Sequence, residues 1–254
     1  MSVVMNLISK AAFDWPCDTI KGRMLRRSLR AVPKNLTVSV LAGPARGIRW
    51  SAGAGVADFW LGDYETEKAE LFARHVKPGG IVYDVGANVG FYALIAARVV
   101  GPTGRVVAFE PSPRNLAFLR ENLSLNSITN VKVLDFAVSD SEGETRFFVG
   151  NDPRVSKVTA TGDITVRTTT LDHLMGELPM PDLIEMDIEG AEYSALRGAE
   201  QLLRKSSPVI FLSTHGRDVH NACCEFLRTL GYKLNAIGAV PIDETDELYC
   251  VREL

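Results

Sequence analysis

Residues 81–100 read IVYDVGANVGFYALIAARVV, and this stretch decides how the chain folds. Its first five residues form a short apolar run of the kind found in buried strands, and its last ten have the continuous apolar character of a buried helix. Between them, Gly86 and Gly90 let the backbone turn sharply and pass close to a ligand. A strand, a glycine-containing turn and a helix in this order predict a ligand-binding crevice at the end of a parallel sheet.

The chain downstream repeats this alternation of strand and helix. Four further apolar runs predict strands: RVVAFE, VKVLDFAV, PDLIEMDI and SPVIFLST. Between and after them we expect AEYSALRGAEQLLRK to form one helix, LDHLMGEL a short helix, and residues 144–168 a strand pair. YKLNAI and ELYCVRE predict an antiparallel pair at the end. The alternation indicates an α/β fold with a mostly parallel sheet and helices on both faces.

Residues 1–62 have a different character, and we interpret them as an N-terminal extension that covers part of the main domain, residues 63–254. The extension is expected to contain a helix and short strands, among them the glycine-broken segment SAGAGVADFWLGDY. Its basic stretch, KGRMLRRSLR, is interpreted as a solvated helix face, with a membrane or RNA contact as the alternative.

Composition limits the classes of function. The 254 residues carry a net charge of −3, whereas proteins that live on nucleic acid usually show a basic balance. The four cysteines lack metal-ligand spacing, so we interpret them as reduced thiols of a cytoplasmic protein. No stretch is long and apolar enough to suggest a transmembrane segment.

The turn after the first apolar run distinguishes between two kinds of ligand. A dinucleotide site would have the pattern G-x-G-x-x-G, with a pyrophosphate over the helix N-terminus. Here Asn88 replaces the second glycine, and the acid Asp84 precedes the turn. A carboxylate at this point would repel a pyrophosphate and favour a ligand with a cationic end, such as the amino group of a methionine moiety.

Acidic residues also follow the next two predicted strands. Glu110 lies roughly 24 residues beyond the first glycine of the turn, near the offset of about 20 expected for an acid that binds ribose hydroxyls, and Pro111 ends its strand. After the third strand come Asp135, Phe136 and Ala137. A carboxylate there could accept from the exocyclic amine of adenine while an apolar side chain packs on the ring. Together these acids predict a site for a nucleoside joined to a small zwitterion.

In these features the chain resembles the FkbM-type methyltransferases over about residues 60–216. The residues that carry the resemblance are Gly62-Asp63-Tyr64-Glu65, residues 83–92, Phe109-Glu110-Pro111, residues 137–140 with Gly143, Thr170-Leu171-Asp172, residues 187–192, Leu196-Arg197-Gly198-Ala199 and His215. The combination is specific, although the turn alone is common to many methyltransferases.

The resemblance implies a Rossmann-like class I methyltransferase fold with a seven-stranded sheet and S-adenosylmethionine as the methyl donor. It also implies methyl transfer, usually to a hydroxyl of a natural product, sugar or glycan. Tyr64 and Glu65, before the helix ETEKAELFARHV, are expected to cover the methionine end of the cofactor, with a first-turn helix acid as the alternative for Glu65. The full set of predicted cofactor-binding residues is Tyr64, Glu65, Asp84, Gly86, Asn88, Gly90, Phe91, Glu110, Pro111, Asp135, Phe136, Ala137 and Asp187. Two positions depart from the family's usual pattern: Glu185 stands where the family often has lysine, and Ser213 where it often has glutamate.

Three residues at the ends of the fourth and fifth strands are candidates for catalysis. Neighbouring parallel strands would bring Asp187, Glu189 and His215 to one rim of the sheet. A hydroxyl is a weak nucleophile at neutral pH, and His215 is the first choice for its base, with a purely structural histidine as the alternative. Asp187 and Glu189 could instead hold a divalent cation such as magnesium, or stabilise the start of the following helix.

Several functions are compatible with these residues. We expect O-methylation of a small molecule, sugar or glycan, with no nucleic-acid partner. The alternatives are a methyltransferase acting on a protein or nucleic acid, and a module that binds S-adenosylmethionine without turnover. Asp187-Ile188-Glu189-Gly190 does not match the N/D-P-P-Y/F motif that often serves amino-group methylation of bases. A homodimer is considered beside a monomer, since the sequence favours neither.

Overall fold

The computed structural model describes residues 19–29, 31–150, 157–159 and 161–252, and a seven-stranded sheet runs through their centre. In chain order its strands are β3 (Ile81–Val85), β4 (Arg105–Phe109), β5 (Val131–Leu134), β10 (Leu183–Met186), β11 (Val209–Ser213), β12 (Lys233–Ala236) and β13 (Glu247–Val251). Across the sheet the order is β12-β13-β11-β10-β3-β4-β5, and only β13 runs antiparallel to its neighbours. The mostly parallel sheet with an antiparallel pair at one edge is therefore confirmed.

Helices cover both faces of this sheet. They are α1 (Ile20–Leu29), α2 (Ala57–Leu61), α3 (Thr66–His75), α4 (Phe91–Val100), α5 (Pro113–Leu125), α6 (Glu192–Arg197), α7 (Glu200–Ser206) and α8 (Arg217–Thr229). Val82 of β3 packs in one hydrophobic cluster with Phe72 and Leu94, whereas the adjacent Tyr83 packs in a second cluster with Leu196. Because both faces are covered, the central strands are mostly apolar, as the sequence runs suggested, and Asp84 of β3 and Glu185 of β10 are the buried charged exceptions.

A second, four-stranded sheet lies beyond the end of β5. Its order is β6 (Ala137–Val138), β9 (Ile164–Thr169), β7 (Gly143–Phe148) and β8 (Lys157–Val158), and the pairing of β7 with β9 confirms the strand pair expected in this region. The prediction of one strand over VKVLDFAV was wrong, because its first half pairs with β4 and its second half with β9. Arg167 lies beside the segment that connects the two sheets: it pairs with Asp135 at 2.5 Å and lies 4.4 Å from the ring centroid of Phe136.

Two of the expected helices also differ from the prediction. AEYSALRGAEQLLRK forms two helices, and the second begins where the carboxylate of Asp172 accepts from the backbone N–H groups of Gln201 and Leu202. Between the two helices, Gly198 packs so closely that a Cβ there would lie 2.0 Å from the carbonyl oxygen of Ser139. LDHLMGEL forms turns instead of a helix. Its Gly176 has a φ of 97°, which breaks helical geometry.

The N-terminal segment shares the core of the main sheet. Its short strands β1 (Thr37–Ser39) and β2 (Arg49–Ser51) pair antiparallel. SAGAGVADFWLGDY was expected to be β-like but contains α2, because Phe59 and Trp60 are buried on a helical turn. Trp50 and these two aromatics join the same hydrophobic cluster as α4. The domain boundary at residue 62 stays a prediction, and residues 1–18 of the extension lie outside the described residues.

Within the described ranges, no helix combines the length and the apolar character needed to cross a membrane.

Candidate active site

An open cleft lies where β3, β4 and β10 end, the place where ligands bind in parallel sheets. The predicted residues that line it are Tyr64, Asp84, Gly86, Asn88, Phe91, Glu110, Pro111, Phe136, Ala137, Asp187 and Glu189. Four others, Glu65, Gly90, Asp135 and His215, are not among its lining residues. Phe147 and Val158 of the second sheet also line the cleft, and the sequence analysis missed both.

The turn after β3 requires glycine at the point nearest to β10. Gly86 has a φ of 93°, and a Cβ there would lie 2.0 Å from the carbonyl oxygen of Asp187. Any side chain at this position would therefore push the two strand ends apart. Gly90 has a different role, because it begins α4 and packs against Leu119, so that it shapes the helix start rather than the wall of the cleft.

Glu110 is held rigidly at one end of the cleft. Its carboxylate accepts the backbone N–H of Asn88 at 2.8 Å and that of Ser112 at 2.7 Å, and the residue is only 4% exposed. Burial raises the pKa of Glu110 to about 7. Since a carboxylate can accept about four hydrogen bonds, both oxygens retain capacity for the ribose hydroxyls of the predicted nucleoside.

The floor of the cleft is acidic. Asp84 and Glu185 face each other in register across β3 and β10, and each is 1% exposed. Asp187 follows one residue beyond the end of β10 and also lines the cleft. Burial raises the pKa of Asp84 to about 7 and that of Glu185 well above its ordinary value. Neighbouring buried carboxylates oppose each other's ionisation, so this floor favours a positively charged ligand.

The buried Lys68 of α3 balances part of this charge. Its ammonium lies 3.1 Å from Glu185, 3.1 Å from Glu247 and 3.3 Å from Glu65, and it also donates to Ser213. Although burial opposes the charge, Tyr92 and the surrounding carboxylates hold the pKa of Lys68 well above its ordinary value.

Sequence reasoning missed both Lys68 and Glu247. The sequence contained one signal for Lys68, namely the two departures from the family pattern at Glu185 and Ser213. Both of these side chains contact the Lys68 ammonium. The lysine that the family often has at position 185 would extend from β10. In this chain the lysine between Glu185 and Ser213 is Lys68, which extends from α3.

Glu65 and Asp135 lie apart from the wall of the cleft. The carboxylate of Glu65 accepts from the Tyr92 hydroxyl at 2.7 Å and lies 3.3 Å from the Lys68 ammonium, so these two side chains hold it in place. The Asp135 side chain is 51% exposed and pairs with Arg167. Its role at the adenine amine therefore stays a prediction, although Phe136 beside it does line the cleft.

The three catalytic candidates lie together, as their places on β10 and β11 suggested. Nε2 of His215 is 3.6 Å from Asp187 and 3.5 Å from Glu189. On the other side of the ring, Nδ1 is 2.9 Å from the fully buried carboxylate of Glu192, a residue that the sequence analysis did not assign to the site. The hydrogen bond to Glu192 raises the pKa of His215 to about 9.

This arrangement permits two kinds of chemistry at Nε2. Glu192 fixes the orientation of the ring and leaves Nε2 directed at Asp187 and Glu189, where it can exchange a proton with a substrate. Ligand atoms of His215, Asp187 and Glu189 also lie within 4.8 Å of one another. Two carboxylates and an imidazole are donors suited to a divalent cation, and a carboxylate behind the imidazole is the usual support of a metal-bound histidine.

Comparison with known proteins bears on the family of the chain. The family described as Methyltransferase FkbM domain matches residues 84–234. The chain is 30% identical over 152 residues to hexuronic acid methyltransferase AglP of Haloferax volcanii, covering 58% of this chain and 61% of the relative. It is 29% identical over 152 residues to 2-O-methyltransferase NoeI of Sinorhizobium fredii, covering 51% and 61%. The matched region thus spans about three fifths of the length of these curated relatives.

Among solved structures, the methyltransferase FkbM from Methylobacillus flagellatus KT is similar with a TM-score of 0.53 at 20% identity, over 67% of this chain and 43% of that chain. At this identity the likeness concerns the fold. The Rossmann-like class I methyltransferase fold expected from the sequence is thereby confirmed.

Proposed function

This chain belongs to the FkbM methyltransferase family, and we propose that it transfers the methyl group of S-adenosylmethionine to a hydroxyl of a sugar, glycan or natural product. The observation that carries the proposal is one cleft with three parts: Glu110 at one end, the acidic floor around Asp84, and His215 directed at Asp187 and Glu189 on the rim. Each part matches one requirement of the reaction: a nucleoside, a cationic donor and a hydroxyl that must lose a proton.

The residues present fit the donor. The two oxygens of Glu110 are oriented by backbone N–H groups and are suited to accept from ribose hydroxyls. Phe136 and Ala137 offer apolar surface for the adenine, and Tyr64 lines the cleft near the acidic floor. When bound, S-adenosylmethionine supplies an activated methyl group on a positively charged sulfur.

The chain's own contribution is to position the acceptor and remove its proton. As the acceptor oxygen bonds to the methyl carbon, the carbon–sulfur bond breaks and the hydroxyl proton must leave. We assign that proton to Nε2 of His215, with Glu192 stabilising the imidazolium through Nδ1. Because the pKa of His215 is about 9, the imidazole must first lose its resting proton before it can act as a base.

The acceptor class follows from the charge of the rim. Asp187 and Glu189 would repel the phosphates of a nucleic acid, so we propose a small-molecule or sugar acceptor and no nucleic-acid partner. The names of the relatives, a hexuronic acid methyltransferase and a 2-O-methyltransferase, support a sugar hydroxyl. The free thiols of Cys223, Cys224 and Cys250, all buried, are consistent with a cytoplasmic enzyme. A homodimer stays a prediction.

As the alternative to His215 as the base, we propose that a divalent cation such as magnesium binds between Asp187, Glu189 and His215. A cation there would occupy Nε2 in place of its proton and lower the pKa of the acceptor hydroxyl, whose proton would then leave to water instead of to His215. Removal of cations with a chelator, followed by readdition of magnesium, should then lower and restore turnover. Unchanged turnover after chelation would contradict the cation while leaving the methyltransferase proposal intact.

The primary test is calorimetry with S-adenosylmethionine, S-adenosylhomocysteine and NAD, followed by methyl transfer assays on uronic acids and other free sugars. We expect both sulfur compounds to bind and NAD not to bind, because the acidic floor opposes a pyrophosphate. Binding of NAD without binding of either sulfur compound would overturn the proposal.

A further inference from the structure

The outward face of helix α1, whose sequence is IKGRMLRRSL, has no part in the proposed reaction. The helix begins after Thr19, whose Oγ1 accepts the backbone N–H of Gly22 at 3.0 Å. On its inner side Gly22 and Leu29 are buried, and Leu29 joins the hydrophobic cluster of the main domain. The helix is therefore fixed to the protein along one side, and its other side faces solvent.

Two large apolar side chains lie on the solvent side of α1. Ile20 is 70% exposed and Met24 is 67% exposed, the highest values among the large hydrophobic residues that the structure describes. Because an α-helix turns by about 100° per residue, Ile20 and Met24 lie one turn apart on one face, opposite the buried Leu29. A single exposed apolar residue is ordinary, but such a pair forms a patch that indicates a contact.

Positive charge surrounds this apolar pair. Lys21, Arg23 and Arg27 are all exposed, and the ten residues of the helix include no aspartate or glutamate. The chain as a whole has a net charge of −3, so the positive charge is concentrated on this helix although the protein is acidic overall. The outward face of α1 is thus complementary to a negatively charged surface.

Of the possible occupants, a lipid bilayer matches both properties of the face. A nucleic acid would match the charge but offers little apolar surface to Ile20 and Met24. A second copy of this chain, docked through the same face, would bring the arginines of the two copies together. A bilayer with anionic lipids has phosphates at its surface and hydrocarbon directly beneath them.

The length of α1 determines how it would lie on a bilayer. Its ten residues extend about 15 Å, half of the hydrocarbon thickness of about 30 Å. The helix is therefore too short to cross the hydrocarbon, and it would lie in the plane of the headgroups with its outward face down.

We propose that α1 docks the protein onto the surface of an anionic lipid bilayer. Ile20 and Met24 enter the boundary between headgroups and acyl chains, and Lys21, Arg23 and Arg27 contact lipid phosphates. With only two apolar side chains inserted, the binding is weak and reversible. This inference concerns the surface to which the protein binds and does not depend on the reaction that it catalyses.

The test is co-sedimentation of the full chain with phosphatidylcholine vesicles, prepared with and without phosphatidylglycerol. We expect binding that is at least about tenfold tighter when the anionic lipid is present, because each basic residue near the surface is attracted to it. High salt should remove this preference, since it screens exposed charges. Equal binding to both kinds of vesicle, or binding to neither, would overturn the inference.

The apolar pair is tested with the double substitution Ile20→Ser and Met24→Ser. It should weaken binding to the anionic vesicles by about tenfold or more, because both side chains lose their burial in the bilayer. The matched control is Val240→Ser, which changes an exposed apolar residue far from α1 in the chain and should keep the wild-type affinity. Unchanged binding of the double variant would overturn the inference.

The charges are tested with the double substitution Arg23→Gln and Arg27→Gln. It should remove most of the preference for phosphatidylglycerol, whereas Arg74→Gln, at an exposed arginine of α3, should retain it. A preference that survives in the double variant would contradict docking through this face. All four proteins should keep the wild-type melting temperature, because the substituted side chains are exposed.

The other possible occupants give different results. Single-stranded RNA that binds more tightly than the vesicles, and that still binds the Ile20→Ser and Met24→Ser variant, would assign the face to a nucleic acid. A dimer in solution that the same variant dissociates would assign it to a second copy of the chain. Either result would overturn docking to a bilayer.

Discussion

The two ends of the cleft hold buried carboxylates in different ways. Glu110 accepts two backbone N–H groups, while Asp84 receives no hydrogen bond of good geometry from the described residues. Burial raises the pKa of both acids to about 7, so burial does not distinguish them. The difference lies in the donors: two backbone N–H groups orient Glu110, whereas no described group makes a well-aligned hydrogen bond to Asp84. We therefore expect the Glu110 end of the cleft to be preformed and the acidic end to become more ordered when a cationic ligand binds.

The largest expected effect concerns the rim next to the acidic floor. His215→Gln should lower kcat by roughly 10²- to 10⁴-fold, because it removes the proposed base. It should leave the affinity for S-adenosylhomocysteine within about threefold, since His215 is not part of the cleft wall. Steady-state kinetics measures the change in kcat, and calorimetry measures the affinity for S-adenosylhomocysteine. His173→Gln, which removes an exposed histidine paired with Glu142, is the control and should retain full turnover.

The next effect separates the two ends of the cleft. Glu110→Ala should weaken adenosine and S-adenosylhomocysteine alike by about 100-fold, because it removes two hydrogen bonds to a charged group. Asp84→Asn, in contrast, should weaken S-adenosylhomocysteine, which carries the ammonium, and leave the affinity for adenosine within about threefold. Calorimetry with both ligands measures the difference. Adenosine binding that survives in Glu110→Ala would show that the ribose lies elsewhere.

A smaller effect, whose direction the structure predicts, is the dependence of turnover on pH. The hydrogen bond to Glu192 raises the pKa of His215 to about 9, so below that pH the resting imidazole is protonated and cannot act as a base. We expect kcat/KM to rise by up to about tenfold per pH unit towards about pH 9 in the absence of a divalent cation.

The same group has the opposite effect on stability. A histidine whose folded pKa is raised stabilises the folded state fully below its unfolded value of about 6.5, and this contribution is lost as the pH rises through about 9. The melting temperature should therefore fall over the range in which turnover rises, and His215→Gln should reduce this fall. A turnover profile that is already flat at neutral pH without cations would argue against His215 as the base.

The smallest effect concerns Asp135. Its exposed ion pair with Arg167 contributes at most about 1 kcal/mol, and its carboxylate does not line the cleft. Asp135→Ala should therefore change the affinity for adenosine by less than about threefold, and Arg167→Ala should behave alike. A tenfold loss restricted to Asp135→Ala would instead place this carboxylate at the adenine amine.

Local sequence was sufficient for the elements whose determinants are close in the chain. Strand β3, the turn at Gly86 and helix α4 follow one another directly, so their pattern predicted both their structure and their place at a ligand site. VKVLDFAV could not be interpreted in the same way. Its apolar residues fit a continuous strand, and only the competing partners β4 and β9 divide it between two sheets.

The sequence by itself determined the α/β architecture and the residues at the strand ends, since both depend on periodicity or on spacing within a short segment, and its short motifs carried the resemblance to the methyltransferase family. The tertiary structure alone decided how the charges are balanced. Lys68 reaches Ser213 across 145 residues of sequence, and Glu192 supports His215 across 23. No local pattern marks such partners, because a buried charge is stabilised by whichever side chains the fold brings within a few ångströms.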